Sequence, residues 1–232
     1  MSNNKPRIPI EAFLSNLPLF KEFTRDQIQR LSTDVAQIDT PRATIVFRRG
    51  DPCAGIYFVV FGQVKLALNA RQGAEKVLEL AGAGHGLAEE TMFLDKPYGS
   101  SAETLVDSKL VHIPKSSMLA ELERNPAFAR RVIARLCRRL EHVIGDLESC
   151  TLRSGTQRVV GFLLNSLPPA PGEREVAIRL PASKGIIASK LNLTHEHFSR
   201  ILRNLATSGL IEVEGREIAI PDLERLRART AA

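Results

Sequence analysis

The chain has 232 residues, 44% hydrophobic and 25% charged, with a formal net charge of +6. That is long enough for two ordinary domains with a core each, and the composition is that of a globular protein. The N-terminal run MSNNKPRIPIEAF holds no apolar stretch of signal-peptide length, and no segment reaches the roughly 18 uncharged apolar residues that a membrane span requires. These features argue against secreted and membrane-spanning classes and predict a cytoplasmic protein with no membrane partner. Cys53, Cys137 and Cys150 are odd in number and widely spaced, so neither a disulfide framework nor an all-cysteine iron–sulfur cluster within one chain is implied.

Charge is unevenly placed. Arg124, Arg130, Arg131, Arg135, Arg138, Arg139, Arg153 and Arg158 crowd residues 124–158, and Lys184, Lys190, Arg200, Arg203 and Arg216 follow. Residues 72–123 contain no arginine. A basic C-terminal half beside a more neutral N-terminal half points to a polyanion as partner of the former.

Residues 10–36 carry apolar side chains at helical spacing (Phe13, Leu14, Leu17, then Ile28, Leu31, Val35), broken at Pro18. From Thr40 to His112 short apolar runs take over: ATIVF, GIYFVVF, QVKLAL, KVLEL and KLVHI. Turns at Arg49-Gly50-Asp51, Gly62, Arg71-Gln72-Gly73, Gly82 to Gly86 and Lys96-Pro97 separate them. Many short strands with such turns predict a β-sandwich or closed roll. From Pro126 the period becomes helical for about seven turns. Ile133, Leu136, Leu140, Val143, Leu147 and Cys150 advance by alternating steps of three and four, an a/d seam flanked by Arg138, Arg139, Glu141, Asp146 and Glu148. A narrow seam on so long a helix predicts pairing with a second copy of the chain; packing against its own domain is the competing reading. Residues 156–167 form another amphipathic helix, and PPAPGERE (168–175) ends it as a loop.

The most specific pattern is LPASKGIIASKLNLTHEHFSRILRNLATSGLIEVEGREIAI, residues 180–220. Ser183 suits the cap of a helix whose Ile187 and Leu191 face inward, Asn192 marks a short turn, and Thr194 suits the cap of a second helix. There Phe198, Ile201, Leu202 and Leu205 make a buried stripe, and Gly209 closes it. IEV-EGRE-IAI then reads as a two-stranded wing turning at Glu214-Gly215. Opposite the stripe stand His195, Glu196, Ser199, Arg200 and Arg203. Glu196 and Arg200 are four apart, so both project from one face near the helix N-terminus, the part that a recognition helix offers to the major groove. An Arg there can bond guanine O6 and N7 together, and a Glu can accept from cytosine N4. A Glu–Arg surface pair is the plain alternative; the preceding helix, short turn and following wing favour double-stranded DNA.

The order of β-roll, long helix and winged helix-turn-helix resembles the catabolite activator (CRP) and fumarate–nitrate reductase (FNR) superfamily. FRRGDPCAGIYFVVFGQVKL (47–66), the Gly84 to Phe93 segment and THEHFSRIL (194–202) carry the likeness, which covers the chain from about Phe13 to Leu226. It implies an α+β chain: a cyclic-nucleotide-binding-like effector-sensing roll with N-terminal helices over 1–125, a dimerisation helix over 126–152, and a DNA-binding domain over 153–232. Thr194, His195, Glu196, Ser199, Arg200 and Arg203 become the DNA-binding set, and Ile133, Leu136, Leu140, Val143 and Leu147 the dimer interface. Glu196, Ser199 and Arg200 match the FNR-type reading set. The catabolite-activator set has Arg where His195 stands and Gly where Ser199 stands. The resemblance thus implies a homodimer on a TTGAT-N4-ATCAA-like palindrome rather than TGTGA half-sites, with RNA polymerase as a further partner.

In cyclic-nucleotide members a Gly-Glu pair holds the ribose, and an Arg about ten residues on neutralises the phosphate. Glu89 fits the glutamate, but Ala88 replaces the glycine, and Ser100-Ser101-Ala102 replaces Arg-Ser-Ala. A buried phosphate without a guanidinium is uncompensated, so cyclic AMP is not expected in a pocket of Glu89, Ser100 and Ser101. The N-terminal cysteine cluster of iron–sulfur members is absent too. What remains is closest in texture to the dissimilatory nitrate respiration branch, which implies a small-molecule or gas effector and haem sensing of nitric oxide, with His85 or His112 as the available axial ligands. Nothing in the residues themselves identifies haem. Two rival functions stay open: an effector-independent DNA binder whose roll is only a dimer scaffold, and a cyclic-nucleotide-binding module without DNA activity. An enzyme is not expected, because no phosphate-binding Gly-rich loop, nucleophile elbow or metal-spaced His/Cys cluster is present, and Glu89-Glu90, read as strand neighbours, would point to opposite faces.

Overall fold

A computed structural model of the chain describes residues 8–69, 75–168 and 176–229. The turn expected at Arg71-Gln72-Gly73 and residues 169–175 of the PPAPGERE loop lie outside the described residues. Two compact units divide the chain, Met1–Glu141 and His142–Ala232.

The first unit opens with α1 (Ile10–Asn16) and α2 (Arg25–Ser32), the latter started by a reciprocal capping box between Thr24 and Gln27. Eight strands and three helices follow in the order β1 (Ala36–Thr40), β2 (Ile45–Phe47), β3 (Gly55–Phe61), β4 (Val64–Asn69), β5 (Glu75–Ala81), β6 (Gly86–Leu87), α3 (Glu89–Phe93), β7 (Ser101–Thr104), β8 (Ser108–Pro114), α4 (Lys115–Arg124) and α5 (Pro126–Leu152), the last of which continues past Glu141 into the second unit. The strands form two four-stranded antiparallel sheets, β1-β8-β3-β6 and β2-β7-β4-β5. Phe47, Val59, Leu66, Leu87, Ala102 and Leu110, drawn from both sheets, pack in one cluster with Tyr98 of the loop before β7. On the other side of the first sheet Ile56, Phe58, Val111 and Ile113 pack with Phe20 of the segment after α1 and with Phe128 and Val132 of α5. The alternation of the strands decides this division, since successive side chains serve opposite faces. Strands β1 and β7 lack the long apolar runs by which a strand is legible in sequence.

Helix α5 runs for 27 residues. In the second unit α6 (Gly155–Asn165) is capped by Ser154 and Gln157. It is followed by β9 (Val176–Arg179), α7 (Lys184–Lys190), α8 (His195–Thr207), β10 (Glu212–Glu214), β11 (Glu217–Ile220) and α9 (Leu223–Ala228). The wing expected as a two-stranded hairpin is a three-stranded sheet, β10-β11-β9, because Val176 and Ile178 of β9 pair in register with Ile220 and Ile218. The short VAIR run gave no alternation long enough to read as a strand.

Candidate nucleic-acid interface and effector pocket

The helix pair in the second unit is built by caps. Ser183 accepts from the Ile186 N–H at the start of α7, and Thr194 accepts from the His197 N–H at 3.1 Å at the start of α8. Between them Asn192 takes φ +56°, the left-handed turn that an Asn tolerates. Arg158 of α6 fixes this turn by donating from Nη1 to the Leu191 carbonyl at 2.7 Å and the Asn192 carbonyl at 3.2 Å. In the sequence Arg158 reads only as basic charge, since nothing local to it signals a partner 33 residues on. Gly155 lets α6 lie close to α8, since a Cβ there would stand 3.2 Å from atoms of Leu193, His197 and Ile201.

Phe198, Ile201, Leu202 and Leu205 are buried beneath α8. Thr194, His195, Glu196, Arg200 and Arg203 are exposed on its free side, with Ser199 half-buried at the edge. The expected reading set therefore shares one face. Glu196 folds back on the helix start: a bond from its own backbone N–H, then one from Thr194, holds its carboxyl below the usual range. The wing carries Glu212, Glu214 and Glu217, all exposed. Arg216 at its tip donates from Nε and Nη2 to the Leu180 carbonyl at 3.1 and 2.6 Å. A hairpin edged with carboxylates repels phosphate, so the positive charge for a DNA backbone sits on α7 and α8.

On α5 the apolar residues split. Phe128 and Val132 are buried, and Leu136 packs against the same core. Leu136, expected in the dimer seam, is half-buried and packs against the core of its own unit; a spacing of three or four cannot by itself say which side of a helix is covered. Ile133, Leu140, Val143, Ile144 and Leu147 are 52–63% exposed. The open stripe is Ile133, Leu140, Ile144 and Leu147 with Val143 beside it, and exposed Cys137 lies along it. So many large apolar groups on one helix face mark an interaction surface.

In the first unit Glu89 and Glu90 lie on α3 rather than on a strand, which corrects the opposite-faces reading of this pair. Ala88, at the expected glycine position, keeps the left-handed φ of +67° that glycine would take freely. Glu89 is held by Arg135 of α5, whose Nε lies 2.6 Å from each carboxylate oxygen, and Arg139 one turn on pairs with Glu79. Two guanidinia thus reach the roll from α5, which the absence of arginine in residues 72–123 did not foretell. Glu89 stands at the start of α3 and Ser101 at the start of β7, directly after Ser100. Ser101 accepts the Arg49 N–H at 3.0 Å and lines a hollow with Arg48 and Lys65, while Ser100 is half-buried in the bend before β7.

His85 is exposed in a turn, with Nδ1 3.2 Å from the Gly82 carbonyl. His112 lies inside β8 with its ring against Tyr57 at 4.6 Å between centroids, and its Nε2 is buried without a hydrogen-bond partner. A Cβ on Gly55 would stand 2.8 Å from that nitrogen, so the β3 backbone closes the space an iron and its macrocycle would need. Neither histidine fits a buried haem in this arrangement. Among the described residues no group of three or more His, Cys, Asp or Glu could hold a metal ion, and no helix is long and apolar enough to cross a membrane.

The family model of a cyclic nucleotide-binding domain matches residues 38–125, and that of a Crp-like helix-turn-helix domain matches residues 157–229. The chain is 30% identical over 191 residues to electron transport regulator A of Shewanella oneidensis, covering 78% of this chain and 73% of that protein. It is 25% identical over 222 residues to a CRP-like cAMP-activated global transcriptional regulator of Mycobacterium tuberculosis, covering 95% and 99%. The crystal structure of DNR from Pseudomonas aeruginosa is 32% identical, with a TM-score of 0.52 over 97% of this chain and 99% of that one. This chain belongs to the Crp/Fnr family of DNA-binding transcription regulators; it is a regulator and not an enzyme.

Proposed function

We propose that the protein works in the cytoplasm as a homodimer that reads a TTGAT-N4-ATCAA-like palindrome and answers to an effector other than cyclic AMP. The observation that carries the reading is the free face of α8, where exposed Glu196, Arg200 and Arg203 stand opposite a fully buried stripe. An Arg there is placed for the guanine of the half-site, and two copies present two such helices to half-sites about 34 Å apart. The exposed stripe from Ile133 to Leu147 supports the pairing of two long helices. RNA polymerase is the partner through which such a dimer would act. Binding selection on a random DNA library tests the site; enrichment of no TTGAT-containing palindrome would refute it.

Against cyclic AMP stands the Arg135–Glu89 pair, in which the carboxylate expected to meet a ribose already meets a guanidinium of its own chain. Nitric oxide sensed through haem, the effector that the resemblance implies, would require His85 or His112 to be presented differently. Absorption spectra of haem-reconstituted protein with and without nitric oxide decide it: without a Soret band that responds to the gas, haem sensing is refuted.

A further inference from the structure

A hollow of about 410 Å³ lies on the outer face of β2-β7-β4-β5. It is distinct from the Glu89 position, which is not among its lining residues. Its floor is set by register: Ile45 and Lys65 both lie opposite Glu103, and Ala67 lies opposite Ser101. Lys65 spans two carboxylates, 2.7 Å from Glu75 and 3.1 Å from Glu103. Burial pulls its ammonium down, and the two glutamates outweigh that and hold it above its usual value.

Arg48 and Arg49 also line the hollow. Their backbone is pinned: the Arg48 N–H donates to Asp51 Oδ2 at 2.8 Å, the Arg49 N–H to Ser101 Oγ at 3.0 Å, and the Gly50 N–H to the Tyr98 carbonyl at 2.9 Å. Neither guanidinium has a carboxylate partner among the described residues. Ser101 uses its oxygen to accept, which leaves its O–H free to donate. The hollow is therefore lined by two guanidinium donors without a carboxylate partner, by two glutamates that share the Lys65 ammonium, and by the half-exposed Ile45 opposite Glu103.

We propose that this hollow is a second ligand site, for a small phosphate ester bearing hydroxyl groups, a sugar phosphate in chemical class. Its phosphate takes the fork donors of Arg48 and Arg49, the geometry in which guanidinium binds phosphate oxygens in pairs. Its hydroxyls donate to Glu103 and Glu75, and its carbon skeleton covers Ile45. The volume is in the range of small-ligand sites, about 300–1,000 Å³. Inorganic phosphate lacks the hydroxyl half and should bind less well. The site is independent of the DNA-reading assignment and of the effector at Glu89.

Calorimetry on the full-length protein tests this with two probes, glucose 6-phosphate and inorganic phosphate. The wild type should bind glucose 6-phosphate saturably and more tightly than inorganic phosphate by about tenfold or more. R48Q/R49Q, whose unchanged thermal melt would show that it folds, should weaken glucose 6-phosphate by about a hundredfold. No saturable binding of either probe overturns the proposal. So does equal binding by R48Q/R49Q, which would place the phosphate elsewhere, for instance on α8. If both probes are silent and R48Q/R49Q loses only polymerase-dependent transcription, the two arginines are a protein contact and the ligand site is refuted.

Discussion

Arg135 and Glu89 form a two-point ion pair between α5 and α3, with Nε 2.6 Å from each carboxylate oxygen and side chains only 27% and 13% exposed. Partial burial makes such a pair costly to break, because the survivor is left without its partner. The carboxylate that the resemblance assigns to a ribose hydroxyl thus already has a partner in its own chain. Titration calorimetry with cyclic AMP is therefore expected to give no isotherm at micromolar nucleotide. E89Q and R135Q should each cost about 1–3 kcal/mol of unfolding free energy, and the double variant less than their sum. Strictly additive losses, or a micromolar cyclic AMP isotherm abolished by Glu89→Ala, would show that this carboxylate is free to take a ligand.

The open stripe on α5 predicts a contrast between neighbours. Leu140→Glu would bury like charges across a two-fold axis, and the expected result is a folded monomer by sedimentation that no longer binds operator. Val143→Glu, at the edge of the stripe, should act in the same direction. Leu136→Glu should behave differently, since Leu136 packs with Phe128 and Val132 in its own unit. Its expected effect is a lowered melting temperature of the first unit. Dimers persisting in both Leu140→Glu and Val143→Glu would remove the case for this seam.

What the sequence made legible follows from how local each signal was. Ser183, Asn192, Thr194 and Gly209 act within a few residues of themselves, and their caps and left-handed turns stand where the pattern put them. The strands with long apolar runs, β3, β4, β5 and β8, were equally plain. The missed features depend on distant partners. Strand β9 exists only because Ile218 and Ile220 lie across from it, Arg158 because a turn is folded under it, and the Arg135–Glu89 contact because α5 returns to the roll. The side that Leu136 faces depended in the same way on a core assembled from several elements.

His112 supplies a pH test. Burial lowers its pKa from 6.5 with no partner to offset it, so the folded state keeps the ring neutral. Below pH 6.5 the unfolded chain takes up a proton that the folded chain refuses. Stability contributed by the neutral ring is thus full above pH 6.5 and falls with decreasing pH until the folded ring itself protonates. His112→Phe keeps the aromatic contact with Tyr57 and removes the titration. Urea denaturation over a pH series should show the wild type losing stability more steeply than His112→Phe on the acid side. Parallel slopes would mean that His112 is not protected from protonation.

The sharpest prediction concerns Arg200. It is exposed on α8, one turn after Glu196 and on the same free face. If it grips the guanine of TTGAT, Arg200→Ala should lose roughly 1–3 kcal/mol per half-site, hence up to about twice that for a dimer. Binding to unrelated DNA should change little, because non-specific affinity comes from phosphate contacts made by other lysines and arginines, and its salt dependence should be kept. Glu196 must leave its bond at the helix start to accept from cytosine, so Glu196→Gln should weaken discrimination less than Arg200→Ala does. Replacing His195 by Arg and Ser199 by Gly should move preference toward TGTGA, since the new Arg offers a second fork to guanine while the smaller residue clears the helix edge. Fluorescence anisotropy with both operators and a scrambled duplex measures all four proteins. Equal affinity of wild type and Arg200→Ala for TTGAT-N4-ATCAA, or a wild type that does not prefer it over the scrambled duplex, would remove Arg200 from the readout.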